Sequence, residues 1–276
     1  MEWDPNKNPG RAPIGGKPKR KNQKVQAKAN VESKKRAEAE SSAQATNELT
    51  FQEMFMLLGI IETIVKDWSV EDGEIISDII DQNKRDICWA ICFARLVQAL
   101  YNIGRPVNQH VQFSIAELLD HIKPGESENF ELANLKIAFD HIADKGILKE
   151  PTTSNKSQKA NAQGMRVQKT FHLYENVDAD FIQARLNRYP VALIVQVDAD
   201  FLSVGKEGIY HLPKKQPIAE DTRLHCMLLI GYGVTKDGKT FFIGQNSYGE
   251  SWGCKGYAII IIDKKCDIFC QKDHYR

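Results

Sequence analysis

The pattern of apolar and polar positions divides the chain into a polar leading stretch, a helical middle and a strand-rich end. Residues 1–47 are dominated by Lys, Glu, Ser, Ala, Gln and Asn, with almost no large apolar side chain after Trp3. Such a segment cannot bury enough surface to offset the entropy of ordering, so it is predicted to be a disordered basic tail, with at most a transient helix over 31–40. Thr50-Phe51-Gln52-Glu53 is a capping-box pattern, followed at helical spacing by Met54, Phe55, Leu58, Ile61, Ile64 and Val65. This predicts one apolar helix within residues 48–66, running to about Lys66. From Cys88 the run CWAICFARLVQALYNI is apolar nearly all round, as a buried central helix must be. Residues 113–122 and 130–145 read as two further helices, the second stopped by Gly146. The polar stretch 151–168 reads as a surface loop.

After it the period changes. A short helix is predicted at 179–187, then strands at 191–197, 226–232, 240–244 and 257–262. Helices precede strands without βαβ alternation, which argues for an α+β fold with segregated elements. The natural division is a helical lobe at about 67–165 and a strand-rich lobe at about 166–276.

Composition narrows the function classes. With 276 residues, 42% of them hydrophobic, the chain can bury one sizeable core or two lobes sharing an interface. No stretch reaches the roughly 18 apolar residues of a membrane span, so no membrane partner is expected. The first twenty residues lack the apolar region of a secretory signal, which points to the cytoplasm or nucleus. The net charge of +1 conceals an asymmetry: residues 1–36 carry eleven Lys and Arg against three acids, +8, leaving the remainder at −7. Lys17-Pro18-Lys19-Arg20-Lys21 resembles an import-receptor or nucleic-acid contact patch, a solvated tail being the alternative. Without a signal peptide the six cysteines are expected to be reduced thiols. Cys266 and Cys270 have a ligand-like spacing but no second close Cys/His pair, so neither metal nor cofactor is expected.

Three residues stand out chemically. Cys88 opens the buried helix, where the partial positive charge of the N-terminus favours a thiolate. His225 opens an apolar strand, and Asn246 lies in the Gly/Ser-rich turn GQNSYGESWG. Singly, each has an ordinary structural explanation; Cys92, one turn after Cys88, is simply a small core residue.

Jointly they resemble the papain family of cysteine peptidases. Gln82-x5-Cys88-Trp89-Ala90 is similar to its nucleophile motif, LHCMLLIGYG to its His segment, and Asn246-Ser-Tyr-Gly-Glu-Ser-Trp252-Gly to its Asn segment. His225 follows Cys88 by 137 residues and Asn246 by 158, close to the family's roughly 130–150. Asp67-Trp68, residues 114–120, Pro190-Val191 and Gly208-Ile209-Tyr210 extend the likeness over about residues 63–270.

The resemblance implies a two-lobe fold, with a helical N-terminal lobe and an antiparallel, β-barrel-like C-terminal lobe. It implies a polypeptide substrate and hydrolysis through an acyl-thioester, with Cys88 as nucleophile, His225 as base, Asn246 as its orienter and Gln82 as an oxyanion donor. Trp252 and Tyr248 are implied to line the site, Trp252 shielding the His–Asn hydrogen bond, and Ile194 and Cys226 to line an apolar pocket.

Departures accompany the likeness. Arg85, His121 and Ala219 stand where the family carries disulfide cysteines, and Asp86-Ile87 replaces the Gly-Ser before the nucleophile. No inhibitory pro-region pattern is visible. These features leave a second reading open, a catalytically weak papain fold acting as a binding module. The family's usual lysosomal, vacuolar or extracellular setting likewise remains the alternative location.

Overall fold

The computed structural model describes residues 49–70, 75–122, 134–150, 164–213, 216 and 223–272. The tail at 1–47 and most of the polar loop at 151–168 lie outside these. Helix α1, Phe51–Leu57, opens with the expected capping box: the Thr50 hydroxyl accepts from the Glu53 N–H, and the Glu53 carboxylate accepts from the Thr50 N–H at 2.7 Å. The helix does not continue to residue 66. Gly59 takes a positive φ of 71°, and the chain re-emerges as strand β1, Ile61–Asp67. Ile61, Thr63, Ile64 and Val65 are β-branched, and the ladder their backbone finds on a distant strand decides the matter. Phe55 is fully buried and Phe51 stacks on Tyr257 with centroids 3.9 Å apart, so the helix is part of the core.

Helix α2, Cys88–Asn102, is the predicted central helix; α3 spans Ile115–His121 and α4 Lys136–Asp144. Two short strands, β2 (Ile147–Leu148) and β3 (Arg166–Val167), pair with each other. The remaining elements are β4 (Phe171–Val177), α5 (Ala179–Leu186), β5 (Val191–Gln196), α6 (Ala199–Leu202), β6 (Ile209–His211), β7 (Leu224–Thr235), β8 (Thr240–Gln245), β9 (Tyr257–Ile261) and β10 (Cys266–Gln271). Among the described residues, no helix is long and apolar enough to cross a membrane.

The other strands form one sheet in the order β4-β10-β5-β7-β8-β9-β6, with β1 paired to the far end of β7. The order does not close on itself: an open sheet replaces the barrel-like lobe implied by resemblance. Among the described residues, only the β6–β9 pairing is parallel. β7 is the organising strand, pairing with β5 in its first half and β1 in its second. Gly231 and Gly233 permit the second pairing, because a Cβ there would run into the Lys66 and Thr63 carbonyl oxygens.

Alternation along the strands builds two cores. Ala192, Cys226, Leu228, Ile230, Phe241 and Ile259 face one way, into the core that also holds α2. Val191, Leu193, Met227, Leu229, Phe242 and Ile260 face the other way, onto Ile182 and Leu186 of α5 and onto Phe201. The same alternation turns His225 and Cys226 to opposite faces of β7, which decides what each can do.

Candidate active site

Two chain segments close the base of the site. The Gln82 N–H donates to the Ser247 carbonyl at 2.8 Å, and the Gly249 N–H donates to that of Ile80 at 3.2 Å. The Ser247 hydroxyl donates to Gln82 Oε1 at 2.6 Å in a buried contact. With its oxygen held there, the Gln82 carboxamide keeps its N–H2 end as the donor for a ligand. Ser247 carries no special spacing signal, and sequence reading passed over it.

His225 donates from Nε2 to Asn246 Oδ1 at 2.6 Å, with both residues buried. The same oxygen accepts from the Ser247 N–H at 2.8 Å. An acceptor at Nε2 fixes the tautomer, so Nδ1 is the basic nitrogen. The imidazole is walled by Tyr248, 4.6 Å away between centroids, and by Phe201, 5.4 Å away. Trp252 lies behind them, packed on both rings, with its indole N–H spent on the Phe201 carbonyl at 3.0 Å. Phe201 is a further wall residue that sequence reading missed, because its helix of four residues is too short to leave a periodic signal.

Cys88 begins α2 behind an Ile87 N-cap that offers no side-chain cap. The first-turn N–H groups therefore remain available to the site, and the thiol lies against the backbone N–H groups of Trp89 and Cys226. Cys226 immediately follows His225, so the thiol reaches the strand that carries the imidazole. Among the described residues, no hydrogen bond joins the two side chains. Burial dominates both groups: the Cys88 thiol is pushed up to about 12, and the His225 imidazole is pushed down to about 4. The resting pair at neutral pH is thus a thiol beside a neutral imidazole.

The pocket residues proposed from resemblance divide. Cys226 is 3% exposed with its thiol against Cys92 of α2, a contact that together with burial keeps Cys226 protonated. Ile194, its register partner on β5, is half-buried. Above the site Arg223 Nη2 meets Asp86 Oδ1 at 3.3 Å.

A pH prediction follows from the neutral resting pair. Alkylation of Cys88 by iodoacetamide should rise about tenfold per pH unit between pH 6 and 9, because only the thiolate reacts and a raised thiol pKa leaves it scarce throughout. A rate flat between pH 5 and 8 would show a preformed thiolate–imidazolium pair instead.

Comparison with known proteins gives the lineage. The family model for papain family cysteine proteases matches residues 64–274. The chain belongs to the papain family. Its curated relatives include cathepsin M of Mus musculus, 26% identical over 66% of this chain and 56% of the relative, and vignain of Phaseolus vulgaris, 27% identical over 69% and 52%. This papain-family chain thus spans about half the length of the curated relatives it matches. Among solved structures, bromelain from Ananas comosus in complex with the E64 inhibitor superposes with a TM-score of 0.56 at 20% identity, covering 75% of this chain and 98% of that one. The Carica candamarcensis protease CMS1MS2 in complex with E-64 gives 0.54 at 19%, covering 76% and 98%.

Within the family frame the local departures gain meaning. All six cysteines are buried and none is in a disulfide, so the core is held without such bonds. Glu117 of α3 is buried beside Arg166 Nη1 at 2.5 Å, with His121 at 3.4 Å and His141 at 3.8 Å. This cluster ties α3 to α4 and β3. Among the described residues, no group of His, Cys, Asp or Glu is placed to hold a metal ion.

Proposed function

We propose that the protein is a cysteine peptidase that cleaves polypeptides through Cys88, His225, Asn246 and Gln82. The observation that carries this reading is the 2.6 Å bond from His225 Nε2 to Asn246 Oδ1, buried beside the thiol-bearing N-terminus of α2. On this reading His225 Nδ1 takes the Cys88 proton as the sulfur attacks the scissile carbonyl, so the ion pair forms during reaction rather than before it. The Cys88 N–H and the Gln82 amide donate to the oxyanion, each such donor being worth about 3 kcal/mol. The carbonyl carbon gains the sulfur and loses the amine, which leaves with a proton from His225. Water then attacks the thioester, His225 accepts its proton, and the acid and free thiol are released. Asn246 holds the ring, and Tyr248 and Phe201 exclude water from that bond.

The experiment is direct. Unstructured polypeptides incubated with the protein should acquire new amino termini, and prior alkylation of Cys88 should suppress them. Intact polypeptides that nonetheless bind would favour the binding-module reading, which the buried neutral pair motivates. Free thiols fit a reducing compartment such as cytoplasm or nucleus, with a lysosomal, vacuolar or extracellular setting as the alternative; imaging of a tagged full-length chain separates them. Contact of the basic tail with nucleic acid or an import receptor is a further part of this reading, to be tested by deleting residues 1–47.

A further inference from the structure

Asp86 stands two residues before Cys88, and Arg223 two before His225. They lie 137 positions apart in sequence, yet Arg223 Nη2 and Asp86 Oδ1 are 3.3 Å apart. Their side chains are 65% and 30% exposed respectively, whereas Cys88 and His225 are 9% and 3% exposed as residues. The ion pair is thus an outer, wetter layer over the two candidate reacting groups. Tyr248, whose ring packs against the imidazole, lies within electrostatic reach of Cys88, Arg223 and Asp86. An exposed pair of this kind adds little to stability, and an incoming ligand can open it.

We propose that Asp86 and Arg223 determine specificity: a polypeptide opens their ion pair, and Asp86 takes up a basic side chain next to the scissile bond. The inference rests on the peptidase reading above and names its substrate class. Two arguments choose a basic residue over an acidic one. Arg223 is the more exposed partner, so its released guanidinium is readily hydrated, whereas Asp86 is more enclosed and loses more when left alone. The charges also act on the reacting groups: Asp86 disfavours a thiolate at Cys88, and Arg223 disfavours an imidazolium at His225. A substrate acid bound to Arg223 would leave Asp86 facing the developing thiolate. A substrate base bound to Asp86 cancels that repulsion and leaves Arg223 free to turn into solvent.

The test uses the full chain, Asp86→Asn and Arg223→Gln, with two readouts. The first is the rate at which Cys88 is modified by a cationic and an anionic methanethiosulfonate reagent of similar size. Mapping by mass spectrometry is clean, since the other five cysteines are at most 4% exposed. The cationic reagent should react about tenfold faster with the native chain. Asp86→Asn should bring the ratio within about twofold of one, and Arg223→Gln should accelerate the cationic reagent further. The second readout is kcat/KM on peptides carrying Lys, Gln or Glu beside the cleaved bond, expected to fall in that order and to level in Asp86→Asn. Equal reagent rates in the native chain, or a ratio unmoved by Asp86→Asn, overturn the proposal. Peptides cleaved without charge preference overturn it while leaving the peptidase reading intact. Asp86-dependent reagent selectivity with no peptide cleaved overturns the peptidase reading and leaves the charge selection standing.

Discussion

Cys88→Ala is expected to lower peptide hydrolysis by at least about 10⁴-fold, with the fold retained. On the proposed mechanism, removing Cys88 eliminates the covalent route itself, and what survives is only the residual effect of binding and oxyanion donors. The structural cost is small, because the side chain loses one sulfur atom at the edge of the core, and its contacts with backbone N–H groups are those of a thiol rather than a buried charge. Gln82→Ala makes the informative contrast. It leaves Cys88, His225 and Asn246 in place and, on the proposed mechanism, removes one oxyanion donor, so a loss of about 10²–10³-fold in kcat is expected. Steady-state kinetics on one peptide, with circular dichroism of each variant, checks both. A Cys88→Ala protein retaining a tenth of the native rate would show that another group does the chemistry.

The second large effect is on stability. Phe93→Ala is expected to destabilise the protein by about 3–5 kcal/mol, a substantial fraction of the roughly 5–15 kcal/mol that holds a typical domain. Phe93 is fully buried on α2 at the hub of an aromatic cluster, with centroids 4.9 Å from Phe139, 5.7 Å from Phe269 and 6.2 Å from Phe171. Phe139 and Phe269 also meet edge to face at 4.5 Å. One ring therefore joins α2 to α4 and to strands β4 and β10, and truncation leaves a cavity that rigid neighbours on three sides cannot refill. Urea denaturation measures the loss. Because α2 also presents Cys88, a fall in peptidase activity larger than the unfolded fraction explains would show that this cluster aims the nucleophile.

What could be read from the chain, and what could not, follows from the range of each interaction. The α2 helix was legible because an all-round apolar run of this length has nowhere to go but the interior. The LHCMLLIGYG strand was legible for the same reason, and the spacing of Gln82, Cys88, His225 and Asn246 singled out residues by family pattern alone. β1 is not legible locally, because Ile61, Ile64 and Val65 fit a helical stripe as well as a strand, and only the partner strand β7 breaks the tie. β10 was passed over because Asp267 and Gln271 interrupt a short strand that is stabilised by neighbours on both sides. The open sheet instead of a barrel is a matter of long-range pairing, which no local signal encodes. Ser247 and Arg223 were invisible for a related reason: each matters through one partner, Gln82 or Asp86, more than a hundred residues away in sequence.

On the proposed reading Cys88, His225 and Asn246 act as one nucleophilic unit. Covalent labelling with an epoxysuccinyl inhibitor of thiol proteases, followed by intact-mass and peptide mapping, tests it most directly. The account predicts a single adduct on Cys88, none on Cys88→Ala, and labelling at least about tenfold slower in His225→Ala and Asn246→Ala, since the inhibitor needs both the sulfur and an oriented base. No adduct on the native chain, or equal labelling rates with and without the His225 ring, would contradict it.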